Sequence, residues 1–178
     1  MTITPWKVLQ SNYLRNDVRV DKCETSNGKI IEPLVLEYGT WVTTVALTQH
    51  QEVLLIKQYR HGAQKIIWEL PGGAVDEGEE PIYAAKRELL EETGYTSDNI
   101  IEVGRVSPNP ASHTNLMYAF IALDAQKVGD QSLDEIEEIE VYPIPLDEVI
   151  LMVKNGEILQ SLHVSTLFFA LYHLNRIA

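Results

Sequence analysis

The feature that most restricts this chain is a fixed spacing of glycine, glutamate and arginine in residues 72–95. From Gly73 onward the sequence fits the pattern Gly-x5-Glu-x7-Arg-Glu-U-x-Glu-Glu-x-Gly-U, where U is a bulky apolar residue and Tyr95 is the only loose match. Fixed residue types at so many fixed separations rarely arise by chance. The pattern therefore indicates a particular structural and chemical device rather than an ordinary surface segment.

Residues 81–93 are expected to form an α-helix, because Ala, Leu, Glu, Lys and Arg dominate the segment and favour helices. The proline at its start suits the first turn, where its missing N–H costs nothing, and Gly94 suits the position that ends a helix. At 3.6 residues per turn, Ile82, Ala85 and Leu89 fall on one apolar stripe.

Three glutamates of this helix are predicted to lie together beside that stripe. Glu88 and Glu92 are four residues apart, and Glu91 lies one turn from Glu88, so the three cover an arc of roughly 100°. Such like charges destabilise a bare helix, whereas Mg²⁺ favours a few carboxylates together with phosphate oxygens. Arg87 is spaced to hold Glu91 in place. A solvated acidic face is the ordinary interpretation of these acids alone, but the full pattern favours a metal site.

The pattern resembles the Nudix box, the signature of hydrolases that cut nucleoside diphosphates linked to another moiety. The resemblance implies that Glu88, Glu92 and Glu91 bind Mg²⁺, with Mn²⁺ as a substitute, and that the Gly72 carbonyl is a further ligand. It also implies that Arg87 and Glu91 belong to the catalytic residues.

The similarity extends upstream of the box. Gln58-Tyr59-Arg60 and Trp68-Glu69-Leu70-Pro71-Gly72-Gly73 resemble the Gln-aromatic-Arg strand and the Glu-Leu-Pro-Ala-Gly loop of the ADP-ribose pyrophosphatase branch. The resemblance implies that Arg60 contacts a substrate phosphate, with a surface salt bridge as the alternative. Glu69 would either bind substrate or structure the loop.

An acidic segment downstream also resembles that branch. Residues 134–141 read Asp-Glu-Ile-Glu-Glu-Ile-Glu-Val, similar to the acidic loop that precedes a strand in those enzymes. The likeness places Glu137 at the position of a proposed catalytic glutamate. Glu138 is the second candidate for the same role.

The rest of the chain predicts an α/β fold. Strands are expected at residues 18–24, 30–37, 41–48, 52–59, 66–70, 100–106, 116–123 and 138–144, and further helices at 146–155 and 163–177. Asn27-Gly28 is a hairpin signal. This order agrees with a Nudix-type α/β/α sandwich containing a mixed sheet in residues 41–178, with an N-terminal antiparallel extension in residues 1–40.

In the resembling enzymes the N-terminal region exchanges with a partner subunit and completes the base-binding site. We therefore expect a homodimer in which residues 1–40 form the dimerisation element. Trp6 is a candidate for stacking on a nucleobase, although core or interface packing is the favoured alternative. Lys22 lies where some relatives carry a phosphate-binding arginine.

Composition restricts the partners of the chain. A formal net charge of −12 argues against nucleic acid and anionic membranes, which need a basic surface. No apolar run has the length of a membrane span. The single cysteine, Cys23, excludes an internal disulfide and a cysteine cluster for zinc, and it is expected to be a buried apolar residue. A cytoplasmic location is the expectation that follows.

The predicted reaction is metal-dependent hydrolysis of a nucleoside diphosphate sugar, ADP-ribose or similar, to nucleoside monophosphate and sugar phosphate. Alternatives within the same fold are oxidised nucleoside triphosphates and dinucleoside polyphosphates as substrates. The alternative from another class is a non-catalytic sensor of ADP-ribose. Retention of Glu79, Glu88, Glu91 and Glu92 favours the enzyme.

Overall fold

The computed structural model describes residues 4–177. Its strands are β1 (Lys7–Arg15), β2 (Val18–Glu24), β3 (Ile30–Ile31), β4 (Leu34–Leu36), β5 (Trp41–Thr48), β6 (Glu52–Arg60), β7 (Lys65–Glu69), β8 (Tyr95–Thr96), β9 (Asn99–Val106), β10 (Met117–Lys127) and β11 (Ile139–Pro145). Its helices are α1 (Pro81–Thr93), α2 (Leu146–Lys154) and α3 (Ser161–His173). The chain divides into two compact units, one drawn from Met1–Gly39 and Ser107–Leu116 and the other from Thr40–Val106 and Met117–Ala178.

The larger unit is built on a seven-stranded sheet. Its strands follow the order β11-β6-β5-β10-β8, with β7 paired to β6 and β9 paired to β10. β5 and β10 run parallel, whereas the other pairs are antiparallel. The sheet is therefore mixed, as expected.

Helices cover both faces of this sheet, because alternate residues along each strand point to opposite sides. On one face Val45 and Leu55 join a cluster with residues of α2 and α3. On the other face Leu54 joins a cluster with Ala85 and Leu89 of α1. The predicted α/β/α sandwich is confirmed, and α1 lies on its own side of the sheet.

α1 begins and ends where the sequence predicts. Proline occupies its first turn, and Gly94 follows it with φ 73°, its N–H donating to the Leu90 carbonyl at 2.8 Å. That left-handed conformation favours glycine, and a Cβ there would lie 2.3 Å from the Gly129 carbonyl oxygen. Ala85 and Leu89 are buried as expected, whereas Ile82 at the edge of the stripe is 36% exposed.

The smaller unit contains an antiparallel sheet in the order β1-β2-β3, with β4 also paired to β2. The predicted hairpin is confirmed, with Gly28 at φ 76° between β2 and β3. A continuous strand over residues 30–37 was wrong, because Pro33 has no N–H to donate and the strand breaks before it. β1 was not predicted.

The two C-terminal helices close the other face. α2 ends before Gly156, which has φ 75°, as predicted. α3 is shorter than the predicted 163–177, because Asn175 turns left-handed at φ 54°. Leu167 and Leu171 of α3 are buried, whereas Phe168 is 56% exposed and lies outside the core. None of the helices among the described residues is long and apolar enough to cross a membrane.

Candidate active site

A glycine loop between β7 and α1 forms the floor of the candidate site. Two hydrogen bonds fix it to β5: the Thr44 N–H donates to the Pro71 carbonyl and the Val42 N–H donates to the Gly73 carbonyl, both at 2.9 Å. A Cβ on Gly72 would lie 2.2 Å from the Val42 carbonyl oxygen, so a larger residue cannot follow this path. The loop therefore runs against β5 because it contains glycine.

Glu92 is the most enclosed carboxylate of the site. Its side chain is 3% exposed, and its Oε2 accepts the Gly72 N–H at 2.7 Å. Burial raises the pKa of Glu92 to about 8, and the negative charges of Glu88 and Glu137 add to the rise. The Gly72 N–H and the charge of Arg60 compensate only in part.

Glu88 lies one turn earlier on α1 and is also largely buried. A Cβ on Gly73 would lie 2.6 Å from its carboxyl carbon, so the glycine loop leaves room for this side chain. Burial raises the pKa of Glu88, although Arg87 donates to its Oε1 at 2.7 Å and partly opposes the rise. The positive charge beside Glu88 and Glu92 is thus too small to offset the effect of burial on their pKa values.

Arg87 organises the exposed side of the same helix. Its guanidinium donates to both Glu79 oxygens, at 3.1 and 2.9 Å, and to the Ala74 carbonyl at 3.0 Å. It also contacts Glu91 at 3.2 Å, as the spacing predicts. The hydrogen bonds from Arg87 lower the pKa of Glu79, so that carboxylate stays ionised. Arg87 therefore ties the loop before α1 to the helix.

Arg60, at the end of β6, forms a two-pronged ion pair with Glu69. Its Nε and Nη2 donate to the Glu69 carboxylate at 2.9 and 2.7 Å. Glu69 has no exposed surface, whereas the Arg60 side chain is 37% exposed. The geometry thus supports a structuring role for Glu69 and leaves the outer edge of Arg60 accessible.

Residues 128–132, which lead into the acidic loop, are tied to the end of α1. The Val128 N–H donates to the Gly94 carbonyl at 2.9 Å, and the Ser132 N–H donates to the Glu91 carbonyl at 2.8 Å. The Gln131 amide donates to the Glu92 carbonyl at 2.6 Å. These bonds hold the start of the segment that carries Glu137 against the end of α1.

The two candidate bases of this loop differ in surroundings. Glu137 is partly buried, and its charge adds to the rise in the pKa of both Glu88 and Glu92. Its Oε2 also accepts the Asp134 N–H at 3.0 Å. Glu138 is exposed and lines a separate cavity of about 740 Å³ together with residues such as Lys57 and Trp68.

The residues of the site suit a hard divalent cation. Carboxylate and carbonyl oxygens are the ligands that Mg²⁺ prefers, and the charges of Glu88 and Glu92 are compensated only in part. Within residues 4–177 no three Asp, Glu, His or Cys side chains are already grouped as a metal site. Glu88 contacts Arg87 and Glu92 contacts Gly72, so a cation would compete with these partners.

Comparisons with known proteins agree with this geometry. A model of the NUDIX domain family matches residues 38–162. The chain belongs to the Nudix family.

Two similar relatives have assigned names. ADP-ribose pyrophosphatase of Bacillus subtilis is 30% identical over 143 residues, covering 80% of this chain and 77% of the relative. GDP-mannose pyrophosphatase of Citrobacter koseri is 31% identical over 191 residues, covering 95% and 98%. A solved ADP compounds hydrolase has the same fold, with a TM-score of 0.85, 22% identity and coverage of 99% of this chain and 100% of the other.

The box residues of this Nudix chain lie together as the sequence predicts: Gly72, Arg87, Glu88, Glu91 and Glu92. Their assignments as ligands or catalytic groups remain predictions. Trp6, which is 53% exposed, and Lys22 belong to the smaller unit, and their roles in substrate binding also remain predictions. Cys23 is buried, as expected.

Sequence reasoning missed the pairing of Arg60 with Glu69, which were considered separately. The register of the β6–β7 hairpin contains the signal. Ile56 opposes Glu69 and Arg60 opposes Lys65, so the arginine and the glutamate share one face of the sheet. Opposite charges on one face of a predicted hairpin would have indicated this pair.

Proposed function

We propose that this Nudix protein hydrolyses the diphosphate of a nucleoside diphosphate sugar, ADP-ribose or similar, to nucleoside monophosphate and sugar phosphate. The observation that carries the proposal is the pair of buried, undercompensated carboxylates, Glu88 and Glu92, against a glycine loop. Such a site favours a cation and, with it, an anionic substrate. The names of the two curated relatives support a nucleotide sugar.

The proposed cofactor is Mg²⁺, with Mn²⁺ as a substitute, since Nudix hydrolases generally use divalent metals. Glu88 and Glu92 are the leading ligands, Glu91 is the third and the Gly72 carbonyl is a further one. When bound, the metal would screen the charge of the diphosphate and lower the pKa of a water molecule. Glu91 is the most exposed of the three carboxylates, so its bond to Arg87 is the easiest to exchange.

Arg60 is proposed to bind a phosphate of the substrate. Glu69 occupies its Nε and Nη2, which leaves Nη1 on the accessible side for a phosphate oxygen. The charge of Arg60 lowers the pKa of Glu92, which supports a position near the carboxylates. A diphosphate held by Arg60 would therefore lie beside Glu88 and Glu92.

Glu137 is proposed as the general base. Its charge acts on Glu88 and Glu92, and its carboxylate can accept a proton from the attacking water once it leaves the Asp134 N–H. Glu138 remains the second candidate, although it is directed to another cavity. Arg87 would act by keeping Glu79, Glu88 and Glu91 in place.

A panel of substrates tests the reaction. Purified protein with Mg²⁺ or Mn²⁺ is incubated with ADP-ribose, GDP-mannose, other nucleotide sugars, an oxidised nucleoside triphosphate and a dinucleoside polyphosphate. We expect the highest kcat/KM for a nucleotide sugar, with nucleoside monophosphate as product. A higher value for a triphosphate or a dinucleoside polyphosphate would move the assignment to that class. Binding of ADP-ribose without any turnover would support the sensor.

We propose that the protein is a homodimer that associates through the smaller unit. All nine residues of β1 are exposed, and Val8, Tyr13 and Leu14 are each more than half exposed. An exposed edge strand with large apolar side chains favours pairing with another chain. Light scattering is expected to give twice the mass of the chain, and Leu14→Glu is expected to give the monomer. A monomeric wild type would contradict the proposal.

A further inference from the structure

His163 on α3 is a buried histidine that the proposed reaction does not use directly. Its side chain is about 5% exposed, and its Nδ1 lies 3.3 Å from the Leu70 nitrogen, where it accepts that N–H. A neutral imidazole that accepts at Nδ1 carries its proton on Nε2. Within residues 4–177 this Nε2 has no hydrogen-bond partner at ordinary distance, and the Glu69 Oε1 lies 3.5 Å away.

Glu69 is thus held from two sides. Arg60 donates to it through Nε and Nη2, both closest to Oε2, and the His163 Nε2 lies 3.5 Å from Oε1. Burial alone would raise the pKa of Glu69, but His163 and Arg60 outweigh burial and hold the pKa below its ordinary value. The carboxylate therefore stays ionised, with the imidazole beside Oε1, the oxygen that is farther from the Arg60 nitrogens.

The fixed carboxylate in turn sets the direction of Arg60. A guanidinium bound through Nε and Nη2 to an immobile carboxylate has one orientation, because the two hydrogen bonds define its plane. Arg60 is otherwise a long side chain with considerable rotational freedom. Preorganising it lowers the entropy cost of binding a phosphate.

We propose that His163 is a positioning residue for substrate binding, which acts through Glu69 to orient the Arg60 guanidinium toward the substrate diphosphate. The inference rests on the proposed function for its substrate, but the chain of contacts does not depend on that function. The proposal predicts weaker substrate binding with little change in kcat. Among the described residues, none of the three is a hydrogen-bond partner of Glu88 or Glu92.

The first experiment needs no substrate. Nitrogen-15 NMR of the wild-type imidazoles should show His163 with an unprotonated Nδ1 and a protonated Nε2. The Arg60 Nε–H signal should be sharp in the wild type and broadened or shifted in His163→Leu. A protonated Nδ1 would overturn the proposal, and so would an unchanged Arg60 signal in the variant.

The second experiment separates positioning from simple packing. Gln at position 163 can donate from its amide to Glu69 and accept the Leu70 N–H, whereas Leu can do neither. With a nucleotide sugar, His163→Leu should raise KM about tenfold while kcat stays within about threefold, and His163→Gln should restore most of the KM. Equal KM values for Leu and wild type, or for Leu and Gln, would overturn the proposal.

Thr166→Val is the matched control. Thr166 is fully buried on the same helix, one turn further, and its hydroxyl contacts Thr43 rather than Glu69. Its variant should lose some thermal stability without a change in KM. In a Glu69→Gln background, His163→Leu should add no further rise in KM, because the contact is already altered.

The proposed function and the positioning role fail in different ways. If the wild type hydrolyses no nucleotide sugar, the proposed function fails while the NMR result still decides the contacts. If the wild type is active and His163→Leu does not fold, His163→Gln and the NMR tautomer decide the role. A rise in KM of about tenfold in the folded His163→Gln variant would then overturn the positioning role.

Discussion

Two sets of glutamates on and before α1 are only a few residues apart in sequence but differ in their surroundings. Glu79 and Glu91 bind Arg87, which also donates to Glu88. Glu88 and Glu92 are buried near the glycine loop, and Glu92 has a backbone N–H as its hydrogen-bond donor. The pKa of Glu79 is lowered by Arg87, whereas burial raises the pKa of Glu92 to about 8.

This difference distinguishes Glu79 from Glu92 within one motif. An acid whose pKa falls on folding stabilises the folded state at neutral pH, whereas one whose pKa rises destabilises it there. Glu79 therefore helps to hold the loop and helix together. Glu92 is retained at a cost to stability, which a bound cation would offset.

The largest expected effect comes from removing one buried acid. Glu92→Gln should reduce kcat about 10³- to 10⁵-fold, because it removes a proposed metal ligand. Its melting temperature in chelator at pH 8 should be unchanged or higher, since a buried carboxylate is replaced by a neutral amide that can still accept the Gly72 N–H. Steady-state kinetics and calorimetry measure the two quantities.

Glu79→Gln is the matched control for Glu92→Gln. It weakens the ion pair with Arg87, so the melting temperature should fall while kcat falls less than in Glu92→Gln. The proposed difference between Glu79 and Glu92 would be wrong if both variants lost the same stability, or if Glu79→Gln had the lower kcat.

Glu137 extends the comparison, because its charge raises the pKa of Glu88 and Glu92. Glu137→Gln should lower kcat about 10²- to 10⁴-fold, the usual contribution of a general base. Mg²⁺ affinity should change little, since Glu137 is not a proposed ligand. Glu138→Gln should be close to wild type, and a larger loss there would move the role by one residue.

Replacing Arg87 tests how much its ion pairs on α1 contribute to stability. Arg87→Ala should lower the free energy of unfolding by about 2–3 kcal/mol, because Glu79 and the partly buried Glu88 lose their common partner. Urea unfolding measures this. The control is Arg176→Ala, whose exposed pair with Asp147 should contribute less than about 1 kcal/mol. Equal losses would mean that Arg87 forms an ordinary surface pair.

Sequence reasoning succeeded where local chemistry decides structure. The limits of α1 follow from proline and Gly94, and the closeness of Glu88 and Glu92 follows from helical periodicity. β5 and β6 were predicted within one residue, since both are rich in apolar residues that suit a buried sheet.

The failures concern partners that are distant in sequence. The burial of Glu69 depends on His163 of α3, 94 positions away, and no local pattern reveals that contact. β1 was missed because all its residues are exposed, so it has no alternation between buried and exposed positions that a pattern could follow. The differing pKa values of Glu79 and Glu92 likewise depend on tertiary burial.

The last expected effect is the pH dependence of stability in chelator. The folded pKa of Glu92, about 8, lies above the ordinary value of 4.5. The stabilising contribution of its protonated form is therefore fully present below about pH 4.5 and is lost as pH rises through about 8. Between these values the unfolding free energy of wild type should fall relative to Glu92→Gln by at most about 1.4 kcal/mol per pH unit. Added Mg²⁺ should reduce this relative loss, because metal binding favours the ionised carboxylate. Urea unfolding of both proteins from pH 5 to 8 measures the difference, and parallel curves would show that Glu92 is ionised throughout and does not differ from the Arg87-bound acids.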